Sequence, residues 1–431
     1  MASTKRPRQP VWLSWVQRSC VGSLLWLLNV TLALVEGCTR FKCGDEQPGR
    51  ILMLRTAALG DFVMSIPAMQ LLRAAYPAAH ITLLTTATTD RTTLLTVSSY
   101  ANKSSPWLDL LPHGLVDEVI VFPFVSYSDL LRQKLLHGKP YDVSFILNEG
   151  IGLALSGTAK KIVFLRLIGV YCRIYGIRTR AYPKIFPEVQ NGERQLEHHL
   201  LAIIRSVEES QQMALVPDPP VNFGLSVLAD AESWAQAKLS ELACTPANLI
   251  IVAPGSRLEF KRWASDNFVQ VISAILERPG VNIILVGSGP ELSTVNQVQS
   301  GCLTVLRQTN RLHNLGGQTS LPQLAALLAK AAVFLGNDGG TCHLAAALGC
   351  RVVSIGNGAE IPNSVEPWGS QRLTARFNVS CAPCYCFTHC PKNDNRCVSG
   401  ITPEQVLKLY ELALEESKQS NNKQININKA V

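Results

Sequence analysis

The chain lacks the GxxxxGKS/T phosphate loop, and its stretch GSGPE at 287–291 is too short for a dinucleotide fingerprint. No Asp-x-Asp pair is present either, the arrangement with which many sugar-nucleotide enzymes hold a divalent metal. Charge is scarce: 17% of the 431 residues are Asp, Glu, Lys or Arg, against 47% hydrophobic. Such a composition excludes a disordered chain and a coiled coil, and it leaves apolar material for two or three domains. Acidic residues are rarest at the ends. Residues 1–50 hold seven basic and three acidic side chains, and residues 418–431 hold three basic and none acidic. Most of the net charge of +8 therefore sits at the termini. The nearly neutral body does not offer a basic groove for nucleic acid.

A complete disulfide framework is also missing, because 13 cysteines are an odd number. Cys20, Cys172, Cys244, Cys302, Cys342 and Cys350 are scattered through apolar runs, as buried reduced thiols are. The remaining cluster, CAPCYCFTHCPKNDNRC at 381–397, has a C-x2-C spacing compatible with zinc through Cys381, Cys384, Cys390 and Cys397. It lacks the second separated CxxC knuckle, and a packing or clip role is the stronger expectation.

The uncharged stretch Ser19–Val35 follows Lys5, Arg6, Arg8 and Arg18, with Trp12, Trp15 and Trp26 nearby. Its length is at the lower limit for a membrane span. An interfacial helix, a cleaved signal segment and a helix packed on the protein itself all fit. Basic flanks and amphipathic aromatics favour a helix lying on an anionic membrane surface. The polar tail 418–431 reads as unstructured.

From Arg50 onwards, short apolar runs alternate with helical patterns, the mark of βαβ units and parallel sheets. Strands are predicted at Ile51–Thr56, His80–Thr86, Glu118–Phe122 and Tyr141–Leu147, then at Asn248–Ala253, Asn282–Gly287, Ala332–Gly336 and Arg351–Ile355. A helix is predicted to start near Pro67, since proline is tolerated in a first turn. Others are predicted at Gly152–Leu167, Gln195–Val207 and Gly340–Leu348, with Thr319 or Ser320 capping one more. The three prolines of VPDPPVNFG make 216–224 a linker between domains at 50–215 and 225–417.

Three strand-to-helix joins carry possible chemistry. The first places Gly60 and Asp61 after a strand, with Asp61 either functional or a helix N-cap. In the second, VAPGSRLEFKRW, a glycine turn precedes Lys261 and Arg262, cations able to neutralise a diphosphate. The third, Asn337-Asp338-Gly339-Gly340-Thr341, opens a helix containing His343, and exposed N–H groups at such an end bind anions.

The order and wording of these segments resemble one family. ILMLRTAALGDFVMSIPAMQLLRAAYP, PGSRLEFKRW and LGGQTSLPQLAALLAKAAVFLGNDGGTCHLAAALGCRVVSIGNG are similar to the signature blocks of glycosyltransferase family 9, the ADP-heptose:lipopolysaccharide heptosyltransferases. The cysteine segment followed by ITPEQV resembles the tail of many members, and the likeness runs from about Arg50 to Leu414. It implies a GT-B fold of two doubly wound Rossmann-like domains, with an acceptor domain first, a nucleotide-sugar domain second and a final helix that crosses back. It also implies an inverting transfer, without metal or cofactor, from a nucleotide-sugar donor to a glycolipid or glycan acceptor. Because nucleotide sugars are made in the cytoplasm, the body is expected at the inner face of the membrane. By position, Asp61 would be the general base and Lys261 the stabiliser of the departing diphosphate, with Ser256 beside it. Asp338, Gly339, Gly340, Thr341 and His343 would hold the ribose and phosphates, with Glu291 a looser ribose candidate and Arg55 on the acceptor side. Glycine stands in the NDGG turn where members often carry Ser or Thr, and residues 87–117 match poorly. The alternatives are an inert membrane-bound scaffold and a zinc-binding module built on the cysteine segment.

Overall fold

The computed structural model describes residues 47–55, 58–86, 106–122, 140–147, 165, 170–175, 199–210, 221, 223–306, 309–386 and 388–430. The apolar stretch Ser19–Val35, the 87–105 region, most of the linker and most of the helix predicted at Gly152–Leu167 lie outside these residues.

The first half is a five-stranded sheet built from β1 (Arg50–Arg55), β2 (His80–Thr86), β3 (Glu118–Phe122), β4 (Tyr141–Ile146) and β5 (Val170–Tyr175). Its order is β3-β2-β1-β4-β5, and every pairing is parallel. Helices α1 (Leu59–Ala75) and α2 (His199–Ser210) pack on each other. Ile51 to Leu54 are buried on both sides of β1, which is why the strand reads as a continuous apolar run.

The second half holds six strands: β6 (Leu249–Ala253), β7 (Asn282–Leu285), β8 (Leu312–Asn314), β9 (Val333–Asn337), β10 (Arg351–Ile355) and β11 (Thr374–Ala375). They pair in parallel in the order β11-β10-β9-β6-β7-β8. The helices are α3 (Ala229–Glu241), α4 (Ser265–Leu276), α5 (Leu292–Leu306), α6 (Leu321–Leu328), α7 (Gly340–Ala347) and α8 (Pro403–Ala430). Ser320 caps α6 as predicted, its hydroxyl accepting from Gln323 N–H in a capping box.

Three expectations need correction. Helix α1 starts at Leu59, not near Pro67, which lies inside it. An interior proline costs about 3 kcal/mol. Burying Phe62, Val63, Met64, Ile66, Met69 and Leu72 on the same helix returns roughly 1.5–3 kcal/mol for each side chain, so burial wins. Second, the tail is helical through Ala430 rather than unstructured, because α8 is anchored by buried Val406, Tyr410 and Ala413 and the helix extends from that anchor. Third, α8 packs on β9, β10, β11 and α4 of its own half, and no crossing back is seen among the described residues. None of the described helices is long and apolar enough to cross a membrane.

The two halves meet directly. Helix α1 packs on α7, and the 3-10 turn Pro106–Leu110 packs on α6. One apolar core runs from Ile51, Phe62 and Trp107 to Leu249, Phe334 and Leu344. The strands' carboxyl ends thus border a shared crevice.

Candidate active site

Both sheets reverse strand order at one place, between β1 and β4 in the first and between β6 and β9 in the second. Ligands in open parallel sheets bind outside the carboxyl ends at such switch points. The side chains predicted from sequence gather there.

In the first half, Arg55 ends β1 and is 1% exposed. Its Nη1 donates to the Leu147 carbonyl just after β4, which straps the switch point together. Its Nη2 lies 3.9 Å from Asp61 Oδ1. Asp61 occupies the first turn of α1, where Ala58 is the N-cap, so the capping alternative does not hold. A carboxylate in this turn is favoured by the helix dipole. Its side chain is 36% exposed and so reachable by solvent or ligand.

In the second half, the loop after β6 is fixed by a buried tryptophan. Trp263 is 1% exposed, packs edge-on against Phe268 at 5.1 Å, and donates through Nε1 to the Ile401 carbonyl at 2.9 Å. Ser256 lies in the loop, its carbonyl accepting from Arg262 Nε at 2.6 Å. The loop is clipped to β9 by Asn337. The Asn337 amide donates to the carbonyls of Pro254 (2.7 Å) and Gly255 (3.0 Å), and its Oδ1 accepts from Trp263 N–H at 3.0 Å. Lys261 is thereby delivered to Asp338, and its ammonium donates to Asp338 Oδ2 at 2.8 Å.

The electrostatics follow from that pair. Burial alone would lower the Lys261 pKa, but Asp338, with Glu360 and Asp61 beyond it, raises it above the ordinary 10.5. Burial alone would raise the Asp338 carboxyl, yet Lys261, helped by His343 and Arg376, holds it below 3.8. Both groups are ionised at neutral pH. Asp61, on the other half, is close enough to act on Lys261.

Gly339 is the N-cap of α7 in extended backbone, with Gly340 and Thr341 in the first turn. A Cβ on Gly340 would lie 3.0 Å from Gly60 N and from Leu59 Cβ. A Cβ on Gly60 would lie 2.6 Å from Cδ2 of the buried His343. The amino ends of α1 and α7 therefore touch, and only glycine allows the approach. Glu291 lies against Gly255. Its carboxylate accepts from Ser288 N–H at 3.0 Å in a capping box, so at least one oxygen has a structural task.

The cysteine segment stands apart from this chemistry. Cys381, Cys384, Cys390 and Cys397 are free thiols that line one pocket with Phe260 and Asn357. Among the described residues, no three or more His, Cys, Asp or Glu side chains are arranged to hold a metal ion. The zinc module thus has no cage among the described residues. The segment supports the loop after β10, where Cys384 and Tyr385 N–H groups donate to Gly358 and Ala359 carbonyls.

Sequence reasoning overlooked Asn357, whose Nδ2 donates to Asp338 Oδ2 at 2.7 Å. Its only signal was a polar residue just beyond a strand's carboxyl end. Asn337 was visible in the NDGG segment, but its clip to a loop far away in sequence was not.

The profile described as glycosyltransferase family 9 (heptosyltransferase) matches residues 197–392. Over those 196 of its 431 residues the chain is similar to this family. Lipopolysaccharide heptosyltransferase 3 of Escherichia coli strain K12 is 33% identical over 108 residues, 25% of this chain and 30% of that protein. The chain thus spans about a third of the length of the first curated relatives it matches. Lipopolysaccharide heptosyltransferase 2 of the same strain is 23% identical over 396 residues, 85% of this chain and 99% of that protein. The solved E. coli ADP-heptose lps heptosyltransferase II superposes with a TM-score of 0.58 at 20% identity, covering 86% of this chain and 99% of its own. That likeness shows a GT-B fold for this chain.

Proposed function

We propose that the chain is an inverting glycosyltransferase that moves heptose or a related sugar from an ADP-sugar to a lipopolysaccharide-core or other envelope glycan, without a metal. The observation that carries this reading is the Lys261–Asp338 pair at one switch point, facing Asp61 at the other across the contact of α1 with α7. The relatives' names supply the sugar and the acceptor class.

In this reading the donor diphosphate lies at the amino end of α7, on the N–H groups that follow Gly339, with Lys261 beside it. Asp338 and Thr341 hold the ribose side. The acceptor hydroxyl enters along Arg55 and Asp61. As its oxygen bonds to the anomeric carbon, its proton passes to the Asp61 carboxylate and the bond to the diphosphate oxygen breaks on the opposite face. The configuration inverts, and the departing charge is taken up by Lys261, which remains protonated. Fixed donors aimed at that developing charge lower the barrier most. Residues 1–49, with their excess of basic side chains, would bring the enzyme to the inner face of an anionic membrane. Reporter fusions that found the body exported would refute that placement.

The direct test is transfer from ADP-heptose with purified protein. Asp61→Ala is expected to lower kcat by roughly 10²–10⁴ with an unchanged circular dichroism spectrum. Unchanged turnover in that variant would remove Asp61 from the role of base.

A further inference from the structure

Asn357 lies two residues beyond β10 and is 7% exposed. Its carboxamide is oriented by both ends. Oδ1 accepts from Ala359 N–H at 2.8 Å, which turns Nδ2 onto Asp338 Oδ2 at 2.7 Å. Its main-chain carbonyl accepts from Arg376 Nη1 at 3.1 Å. Arg376 is in turn paired with Glu366, a buried carboxylate that also accepts from Asn363 and Val365 N–H groups. A continuous polar chain therefore runs from Glu366 through Arg376 and Asn357 to Asp338 and ends at Lys261. Two donors, one neutral and one cationic, converge on the same oxygen of Asp338.

The geometry points to Asn357 as a positioning residue that sets how strongly Asp338 holds Lys261, and so how readily Lys261 turns to a nucleoside diphosphate. This rests on reading the crevice as a nucleotide-sugar site. The physical reason is competition. A carboxylate oxygen with one donor spends its whole acceptor strength on the ammonium. A second, uncharged donor weakens that grip without adding a cation, and it fixes the carboxylate plane. Without the amide, Asp338 would draw Lys261 inward, and a diphosphate would have to pull it back.

Asn357→Asp gives the sharpest test, because it keeps the shape and replaces the amide with a second carboxylate beside Asp338 Oδ2. Two carboxylates at that distance cannot both ionise freely, so the pair retains a proton to higher pH. Binding of ADP is measured by calorimetry between pH 5.5 and 8 for the unaltered protein and the variant. The ratio of their Kd values at each pH cancels the titration of ADP itself. The expected ratio is large at pH 8 and falls towards one as pH drops, by up to about tenfold per pH unit where one proton is linked to binding. A ratio that stays constant across the range would overturn the proposal, since a merely structural defect would not be relieved by a proton. If the unaltered protein failed to bind ADP, the nucleotide-sugar reading itself would fall, and the role of Asn357 with it. Should Asn357→Asp not fold, Asn357→Ala is compared in the native and Asp338→Asn backgrounds. The variant weakens ADP binding in the first and has no effect in the second if the assignment is right. An undiminished effect without the Asp338 carboxylate would refute it.

Discussion

At the scale of single residues, the site depends on the ion pair between Lys261 and Asp338, whose side chains are 16% and 18% exposed. A pair this sheltered lies between a solvent-exposed one, worth about 0–1 kcal/mol, and a buried one whose breaking costs about 3–5 kcal/mol. Asp338→Asn should therefore destabilise the fold by about 2–3 kcal/mol by leaving a sheltered ammonium without its partner. The pH dependence has a definite sign. The folded-state pKa of Asp338 lies below 3.8, so its contribution is present above that value and is lost as pH falls through the folded pKa. That of Lys261 lies above 10.5, so its contribution is present below that value and is lost as pH rises through the folded pKa. Urea unfolding of the two proteins should show a gap that is flat from about pH 5 to 9 and narrows in acid. A gap that widened towards acid would contradict the assigned charges. Part of this was legible beforehand. Lys261 stood out as a cation after a glycine turn at a helix start, where it opposes the dipole, whereas Asp338 was singled out by the family resemblance. Asn357 was not, because one asparagine in a loop acquires meaning only from a partner 19 residues away in sequence.

At the scale of elements, the contact of α1 with α7 decides the geometry of the crevice. Gly60→Ala would place a methyl 2.6 Å from a ring carbon of His343, which is buried and has little room to swing. The two helix ends must separate by several tenths of an ångström. Overpacking of this kind costs about 1–3 kcal/mol. Separating the proposed base from the diphosphate clamp should harm catalysis more than stability, since small misplacements in an active site cost far more in rate. The expected result in steady-state assays is a kcat reduced by about 10² with a melting temperature only a few degrees lower. A fully active Gly60→Ala enzyme would show that the two ends need not touch. The same contact explains where sequence reasoning stopped. Strands β1, β2 and β4 were legible from apolar runs buried in the sheet, and β3 from its short apolar run at the sheet edge. Strand β5 was missed because Arg173 interrupts its run, and β8 and β11 are only three and two residues long. The early start of α1 was hidden by Pro67, whose local preference yields to the burial of nearly every neighbour.

At the scale of the whole molecule, the sequence pattern pointed to two domains joined by a proline-rich linker and said nothing of a shared core. The core is in fact continuous from Phe62 and Trp107 to Phe334 and Leu344. Local patterns could not reveal this, because an apolar helix face looks the same whether it covers its own sheet or a neighbour's helix. A shared apolar interface couples the stability of the halves, so heating should give one cooperative calorimetric transition rather than two. In the proposed reading the nucleotide would bind mainly to the second half, at the α7 end where α1 has docked. ADP at about a hundred times its Kd contributes about 2.7 kcal/mol to the form that binds it. If the halves are coupled, that contribution shifts the whole transition upward by a few degrees while leaving it single. If they were independent, ADP would split the trace by raising the second domain alone. A split trace would mean that the contact of α1 with α7 is weak in solution, and that Asp61 meets Lys261 only after the donor has bound.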